Sequence, residues 1–227
     1  MSDFDAVFFD IGGVLLDLSS VREGHDEFIR LLADAHDLTD HEGAKATWRS
    51  ALGDYFSGTE GTNYRPAAAG YQYAVDELLG RTVPEAEWKS LFEAATYGTI
   101  RPHDGAKETL EVLDDAGLYL GVISDVDDRE GRQILDTLDV LSHFDHVTTS
   151  EEVGKKKPDQ AMFQTALERA GVSPDSSVMI GDRYSHDMVG GREAGLTTIA
   201  YGATDGPAVD YVIDDLREIL RIVGLRA

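Results

Sequence analysis

The sequence predicts an α/β fold: a doubly wound parallel sheet of Rossmann-like type that carries an inserted α-helical cap. Short apolar segments alternate with helix-like segments in most of the chain, as they do where crossover helices connect parallel strands. The interval from about residue 18 to residue 97 differs, because its apolar residues recur at helical spacing and it contains no convincing strand. A length of 227 residues fits one sheet domain with such an insert.

The first predicted strand is an apolar segment that begins at Ala6, ends at Asp10 and is followed by Gly12 and Gly13. This is the pattern of a buried strand that leads into a turn. Four later apolar segments predict further strands at 119–123, 146–149, 177–180 and 197–201. The helix-like segments between the strands cover 105–115, 129–138, 160–170 and 187–194. A weak strand at 211–213 and a helix at 215–223 complete the pattern.

The insert is predicted to form a domain of its own. Phe28, Leu31 and Leu32 illustrate the helical spacing of its apolar residues. The segments 17–20 and 98–102 flank it and have the polar or glycine-containing composition of hinge linkers. We therefore assign residues 18–98 to the helical cap and residues 1–17 and 99–227 to the sheet domain.

The chain is strongly acidic, with 43 acidic residues against 20 basic ones and a formal net charge of -23. Such a surface repels nucleic acids and anionic membranes, so neither is an expected partner. No apolar segment approaches the roughly 18 residues of a membrane-spanning helix. The N-terminal residues also lack the pattern of a secretory signal. We therefore expect a soluble, cytoplasmic protein.

The residue usage also limits the chemistry. Because cysteine is absent, any metal must be bound by oxygen or imidazole ligands, and a cysteine nucleophile is excluded. Lysine is scarce among the basic residues. An acid excess with little lysine is typical of proteins from salt-accumulating halophiles, and an ordinary acidic cytosolic protein is the alternative interpretation.

Polar side chains follow four of the predicted strands, at the edge where the carboxyl ends of parallel strands form a ligand-binding crevice. In chain order they are Asp10, Ser124 with Asp125, Lys157, and Asp182 with Asp187. Taken one at a time, each has an ordinary explanation as a turn residue, a helix cap or a solvated loop. Together they provide what phosphoryl transfer requires: a nucleophile, carboxylates for a hard cation, and hydrogen-bond donors.

This ordered set resembles the haloacid dehalogenase-like hydrolase superfamily, and in particular its members with a helical cap inserted after the first strand. The resemblance extends from Phe8 to about Tyr201. Three further segments carry it: 101–105, Lys157-Pro158-Asp159 with Phe163, and Gly181-Asp182 with Asp187, Gly190 and Ala194-Gly195. The resemblance implies a magnesium-dependent phosphatase that acts on a small phosphorylated metabolite.

The resemblance also implies a role for each residue. Asp10 is the nucleophile that becomes an aspartyl phosphate. Ser124 and Lys157 assist catalysis. The phosphate is contacted by Ser124, Asp125, Lys157 and Gly13. The Mg²⁺ ligands are Asp10, the backbone carbonyl of Gly12, Asp182 and Asp187, a set of oxygen donors that suits magnesium better than zinc.

One position departs from the family pattern. Most phosphatases of this family have a second aspartate two residues after the nucleophile as general acid and base, and this chain has Gly12. A general acid or base is typically worth about 10²–10⁴ in rate. Three interpretations stay open: another group replaces it, the substrate has a good leaving group, or the protein is a binding module. The candidate surrogates in the cap are His25, His36 and His41.

Two alternatives to a phosphatase remain at this point. In a metal-independent haloacid dehalogenase the same aspartate would displace halide, but that branch lacks the Gly181-Asp182 motif. A non-catalytic interaction protein with the same fold is the other alternative. The residues that would select a substrate are expected in the cap, and the candidates are Trp48, Tyr55, Phe56, Tyr64 and Arg65. The same aromatic residues could instead form the core of the cap, and the sequence does not indicate an oligomeric state.

Overall fold

The computed structural model describes residues 4–58, 60–202 and 206–225. The chain divides into two compact units: a sheet unit, which runs up to Asp17 and resumes at Pro102, and a helical unit, Leu18–Arg101. The helical unit extends three residues beyond the exit at residue 98 that the sequence suggested. The reason lies in Arg101, whose N–H donates to Ser20 Oγ at 3.0 Å and whose guanidinium pairs with Glu23 at 2.8 Å.

The sheet unit contains one parallel sheet, which confirms the predicted fold class. Its strands are β1 (Ala6–Phe9), β2 (Tyr119–Ser124), β3 (His146–Thr149), β4 (Ser177–Gly181), β5 (Thr197–Tyr201) and β6 (Tyr211–Ile213). They lie in the order β3-β2-β1-β4-β5-β6 with every pairing parallel. The helices therefore act as crossovers, as the alternating pattern predicts.

The register of the three central strands aligns their carboxyl ends. Phe9, the last residue of β1, pairs with Val122 of β2 and Ile180 of β4. All four residues of β1 are buried, because a central parallel strand is covered by helices on both faces. Residues that directly follow β1, β2 and β4 are thus brought to one edge of the sheet.

The helical unit consists of α1 (Leu18–Ala35), α2 (His41–Ser57), α3 (Ala67–Leu79) and α4 (Lys89–Tyr97), with a 3-10 turn at Glu85–Glu87. Its core combines aliphatic residues with a group of aromatic ones. Phe28, Trp48, Trp88 and Phe92 pack against one another with ring centroids 5.2–6.3 Å apart. Of the two interpretations offered for the aromatic residues of the cap, the one that assigns them to its core therefore applies to Trp48. This residue is 1% exposed.

The helices of the sheet unit are α5 (Ala106–Asp115), α6 (Asp128–Thr137), α7 (Ser150–Val153), α8 (Gln160–Ala170), α9 (Val189–Glu193) and α10 (Glu218–Ile222). Short 3-10 turns occur at Leu141–His143 and Pro174–Ser176, and a π-helical turn covers Tyr184–Met188. Within the described ranges, no helix combines the length and the apolar composition that crossing a membrane requires.

Candidate active site

Asp10 lies directly after β1 and is 5% exposed. Its N–H donates to the carbonyl of Ile180 at 3.0 Å, which extends the strand pairing by one residue and fixes the backbone. Its Oδ1 accepts hydrogen bonds from the N–H of Ile11 at 2.8 Å and from Ser124 Oγ at 2.7 Å. Strand register and two hydrogen bonds thus hold the carboxylate in one orientation at the sheet edge.

Ser124 and Asp125 occupy the end of β2. Ser124 is 4% exposed, and its hydroxyl is directed to Asp10. Oδ1 of Asp125 accepts a hydrogen bond from the backbone N–H of Lys157 at 2.8 Å. Burial raises the pKa of Asp125, while the charge and the N–H of Lys157 oppose that shift. The Asp125 side chain therefore positions the lysine segment, and its contact with phosphate stays a prediction.

Lys157 is a buried cation at the centre of the site. Its Nζ lies 3.1 Å from Asp10 Oδ1 and 2.6 Å from Asp187 Oδ1, and it donates to the carbonyl of Ile123 at 2.8 Å. Burial by itself lowers the pKa of Lys157, but the carboxylates of Asp10, Asp187 and Asp125 outweigh burial and raise it. The ammonium group therefore stays charged and offsets part of the negative charge around it.

Two glycines allow the acidic residues to approach closely. A Cβ on Gly13 would lie 2.1 Å from Oδ2 of Asp182, and Gly13 also has a positive φ of 76°. A Cβ on Gly181 would lie 2.2 Å from the Cβ of Asp187. The turn after Asp10 and the segment after β4 are therefore packed against each other, and both positions require glycine.

Three carboxylates converge at this edge. One oxygen each from Asp10, Asp182 and Asp187 lies within 4.8 Å of the others. Asp187 is fully buried, and its Oδ2 accepts the N–H of Arg183 at 2.9 Å. Oδ1 of Asp182 is buried and has no hydrogen-bond partner within the described part of the chain. Burial, together with the charge of Asp10, raises the pKa of both Asp182 and Asp187.

These observations fit a divalent cation. Carboxylates this close repel one another, and the buried Lys157 compensates only part of their charge. A buried carboxylate oxygen without a hydrogen-bond donor, such as Asp182 Oδ1, is the kind of atom that a metal ion satisfies. Carboxylate oxygens are the donors that Mg²⁺ and Ca²⁺ prefer. The residues present are therefore able to hold a hard metal ion.

The structure brings together most of the residues that the sequence singled out. Asp10, Ser124, Asp125, Lys157, Asp182, Asp187 and Gly13 all contact one another directly or through a shared partner. Gly12 lies in the turn after Asp10, where a bridge pairs it with Leu16. The role of its carbonyl as a metal ligand stays a prediction.

The histidines offered as replacements for the missing general acid belong to the helical unit, and each has its own surroundings. The His25 ring lies among the rings of Trp48, Tyr71 and Phe92, at centroid distances of 5.4–5.9 Å. Burial lowers the pKa of His25 from 6.5 to about 4, against the opposing charge of Asp26. His25 is therefore neutral near physiological pH. His41 lies 3.0 Å from Asp34 in an exposed pair, and His36 is half-buried after the end of α1.

Sequence reasoning missed Arg183 and His186, which lie inside the acidic motif. Nη1 of Arg183 is 3.6 Å from Oδ2 of Asp125, and its guanidinium also contacts the His186 ring. Nδ1 of His186 lies 3.0 Å from Ser185 Oγ. Their position in the sequence could have identified them, because both residues lie between Asp182 and Asp187, which were already assigned to the site.

Comparisons with known proteins agree with this geometry. A family model described as haloacid dehalogenase-like hydrolase matches residues 4–195. The chain is 29% identical to glyceraldehyde 3-phosphate phosphatase of Methanothermobacter thermautotrophicus over 86% of this chain and 84% of that protein. It is 28% identical to the protein of the same name from Methanocaldococcus jannaschii over 94% and 97%. The magnesium-bound crystal structure of the putative HAD-hydrolase YfnB from Bacillus subtilis superposes with a TM-score of 0.76 at 19% identity, covering 98% of this chain and 99% of that one.

Proposed function

This chain belongs to the haloacid dehalogenase-like hydrolase family, and from that premise we propose that it is a magnesium-dependent phosphatase that acts on a small phosphorylated metabolite through Asp10. One observation carries the proposal: a buried carboxylate held by a serine and a lysine stands beside two more carboxylates, one with an orphaned oxygen. The archaeal relatives named as phosphatases, which match most of this chain, support the same reaction class.

The carboxylate of Asp10 is suited to nucleophilic attack on phosphorus. An Asp10 oxygen forms a bond to phosphorus while the bond to the leaving oxygen breaks, which gives an acyl phosphate on the enzyme. Water then attacks that phosphorus, inorganic phosphate is released, and the carboxylate is regenerated. The hydrogen bonds from Ile11 and Ser124 fix the position of the attacking group before the substrate arrives.

Lys157 and Ser124 stabilise the negative charge of the phosphoryl group during the reaction. The charged ammonium group stands within 3.1 Å of Asp10 and compensates negative charge that gathers on the phosphoryl oxygens. The hydroxyl of Ser124 is able to redirect its hydrogen bond from Asp10 to a phosphoryl oxygen. Because Lys157 is buried, its charge acts in a medium of low dielectric constant and is more effective than in water.

Asp10, Asp182 and Asp187, with the carbonyl of Gly12, are the residues that would hold Mg²⁺. A bound Mg²⁺ neutralises phosphate oxygens and so lets a dianionic substrate approach three carboxylates. Asp182 Oδ1 supports this assignment, since no group of the described chain satisfies it. A metal-independent dehalogenase would have no ion to satisfy this buried oxygen, so the phosphatase is the better-supported alternative.

The test is a screen of phosphorylated metabolites in Mg²⁺ and in EDTA, with the Asp10→Asn variant measured in parallel. We expect phosphate release in Mg²⁺, none in EDTA, and none from the variant, because an amide does not form the acyl phosphate. Turnover of a 2-haloacid that is insensitive to EDTA would indicate the dehalogenase. A folded protein without either activity would indicate the non-catalytic alternative.

A further inference from the structure

The ion pair between Arg183 and Asp125 crosses the end of β1. Asp125 directly follows β2, and Arg183 comes two residues after the end of β4. In the sheet, β1 lies between these two strands, so the pair links the residues that flank Asp10 on either side. The distance from Nη1 of Arg183 to Oδ2 of Asp125 is 3.6 Å. A substrate that reaches Asp10 from the carboxyl edge therefore meets the Arg183 guanidinium.

Hydrogen bonds hold the Asp125 carboxylate and the Arg183 backbone in place, whereas the Arg183 side chain extends towards solvent. Asp125 Oδ1 is held by the N–H of Lys157 at 2.8 Å, and the side chain of Asp125 is 12% exposed. The N–H of Arg183 donates to Asp187 Oδ2 at 2.9 Å, and its carbonyl accepts the N–H of Asp187 at 2.8 Å. The side chain of Arg183 is nevertheless 48% exposed.

The contact between the two side chains is weak. A separation of 3.6 Å exceeds the length of a hydrogen bond, and half-exposed ion pairs of this kind contribute little to stability. The guanidinium is therefore able to exchange Asp125 for another oxyanion without a change in the fold. His186 contacts the guanidinium as well, and its other ring nitrogen lies 3.0 Å from Ser185 Oγ.

The two cations of the site differ in burial and in partners. Lys157 is buried and already engaged with Asp10 and Asp187, which assigns it to the phosphoryl group under attack. Arg183 is more exposed and is not paired with Asp10 or Asp187 through its guanidinium, so it is accessible to parts of a substrate outside that group. A guanidinium presents a planar fork of donors that matches a carboxylate or a phosphate with two hydrogen bonds.

We infer that Arg183 binds a second oxyanion of the substrate, a carboxylate or a second phosphate, separate from the phosphoryl group attacked by Asp10. This inference rests on the proposed phosphatase function and narrows its substrate class. Arg183 is then the residue that distinguishes doubly anionic metabolites from phosphates whose remaining groups are neutral.

The first test compares substrates that differ in one anionic group. Glyceraldehyde 3-phosphate is paired with 3-phosphoglycerate, and fructose 6-phosphate with fructose 1,6-bisphosphate, so the two pairs separate a carboxylate from a second phosphate. For Arg183→Gln we expect kcat/KM on the doubly anionic member of at least one pair to fall by about 10- to 100-fold, mainly through KM. The member whose only anionic group is the transferred phosphate should change by less than about threefold. Arg217→Gln removes an equally exposed arginine, paired with Asp215 at 2.9 Å, and should change neither.

The second test measures binding without turnover. In the Asp10→Asn background, calorimetric titration with all four compounds should show weaker binding of 3-phosphoglycerate or fructose 1,6-bisphosphate after Arg183→Gln, and partial recovery with Arg183→Lys. Equal losses for both members of each pair would overturn the inference, since Arg183 would then act on the transferred phosphoryl group. No loss for any substrate would overturn it as well, with the phosphatase proposal intact. If the unaltered protein hydrolyses none of the four compounds, the binding titrations alone decide the role of Arg183.

Discussion

The ammonium nitrogen of Lys157 lies 2.6 Å from Oδ1 of Asp187, and neither side chain is accessible to solvent. A buried pair of this kind is costly to form and still more costly to break, because the remaining charge loses its partner inside the protein. Asp187 in turn holds the backbone of Arg183. The pair therefore contributes both to the charge balance of the site and to the shape of the acidic segment.

We predict that Lys157→Met lowers the free energy of unfolding by about 3–5 kcal/mol in EDTA, because it leaves buried carboxylates without their cation. Combining it with Asp187→Asn should cost less than the sum of the two single changes, since the double variant removes both charges. Chemical denaturation measures all three. Lys107→Met is the control, because Lys107 pairs with Asp139 at the surface and is 41% exposed. Additive losses in the double variant would contradict the coupling.

A second prediction concerns the metal. Mg²⁺ should raise the melting temperature of the unaltered protein, because an ion that binds the folded state stabilises it. Asp182→Asn should remove that shift, since it replaces the carboxylate whose Oδ1 is orphaned.

The same variant should be at least as stable as the unaltered protein in EDTA. Burial and the charge of Asp10 raise the pKa of Asp182, so its ionised form is disfavoured in the folded protein and its removal relieves that cost. The control is Asp136→Asn, an equal change of charge at an exposed position of α6. An unchanged Mg²⁺ shift in Asp182→Asn would contradict the metal assignment.

The strands of the sheet were predictable from the sequence because buried parallel strands have a characteristic composition. Strands such as Ala6–Phe9 are buried on both faces and therefore read as uninterrupted apolar segments. Their parallel order then brings Asp10, Ser124 and Asp182 to one edge without any knowledge of side-chain packing. The close approach of Gly13 to Asp182 was not predictable, because the sequence shows only that a glycine follows the first strand.

Contacts that depend on the conformation of a loop or on packing between helices were not predictable in this way. Arg183 directly precedes a π-helical turn, whereas the sequence suggested an ordinary helix starting at Asp187. His25 lies on a helix face whose burial depends on which helices cover it. The sequence offered His25 only as a candidate surrogate for the missing acid and did not reveal its aromatic neighbours.

The burial of His25 leads to a prediction about pH. The pKa of His25 is about 4 in the folded protein and has the ordinary value of 6.5 in the unfolded chain, so between these values only the unfolded chain binds the proton. The proton therefore favours unfolding as the pH falls from 6.5 towards 4. Relative to His25→Leu, the unaltered protein should lose up to about 3 kcal/mol of unfolding free energy across this interval. Denaturation of both proteins at a series of pH values measures the difference, and a constant difference would contradict the burial of a neutral imidazole.

The charge of -23 leads to a prediction about salt. Repulsion between surface carboxylates destabilises the compact state, and salt screens it, since the Debye length falls from about 10 Å at 0.1 M to about 3 Å at 1 M. We expect the melting temperature to rise steeply with NaCl between these concentrations, in EDTA and at constant pH. A flat profile would reject the halophile hypothesis and leave an ordinary acidic protein.

The glycine at position 12 has a consequence for substrate preference. The structure has no carboxylate two residues after Asp10, and His25 is neutral near physiological pH because its pKa is about 4. Expulsion of an alkoxide needs a proton more than expulsion of a carboxylate does, because the alkoxide is far more basic. The unaltered protein should therefore hydrolyse acetyl phosphate faster than glycerol 3-phosphate.

Gly12→Asp should narrow that ratio by supplying a proton to the alkoxide, with a gain for glycerol 3-phosphate of up to about 10²–10⁴ and little change for acetyl phosphate. Gly12→Asn is the matched control, because its side chain has nearly the same shape and carries no acidic proton. Phosphate release from both substrates, with Mg²⁺ held constant, gives the two ratios. A proton-supply mechanism requires that only the aspartate variant gains on the alkyl phosphate. Equal rates on the two substrates in the unaltered protein, with no response to either substitution, would show that the proton comes from another group.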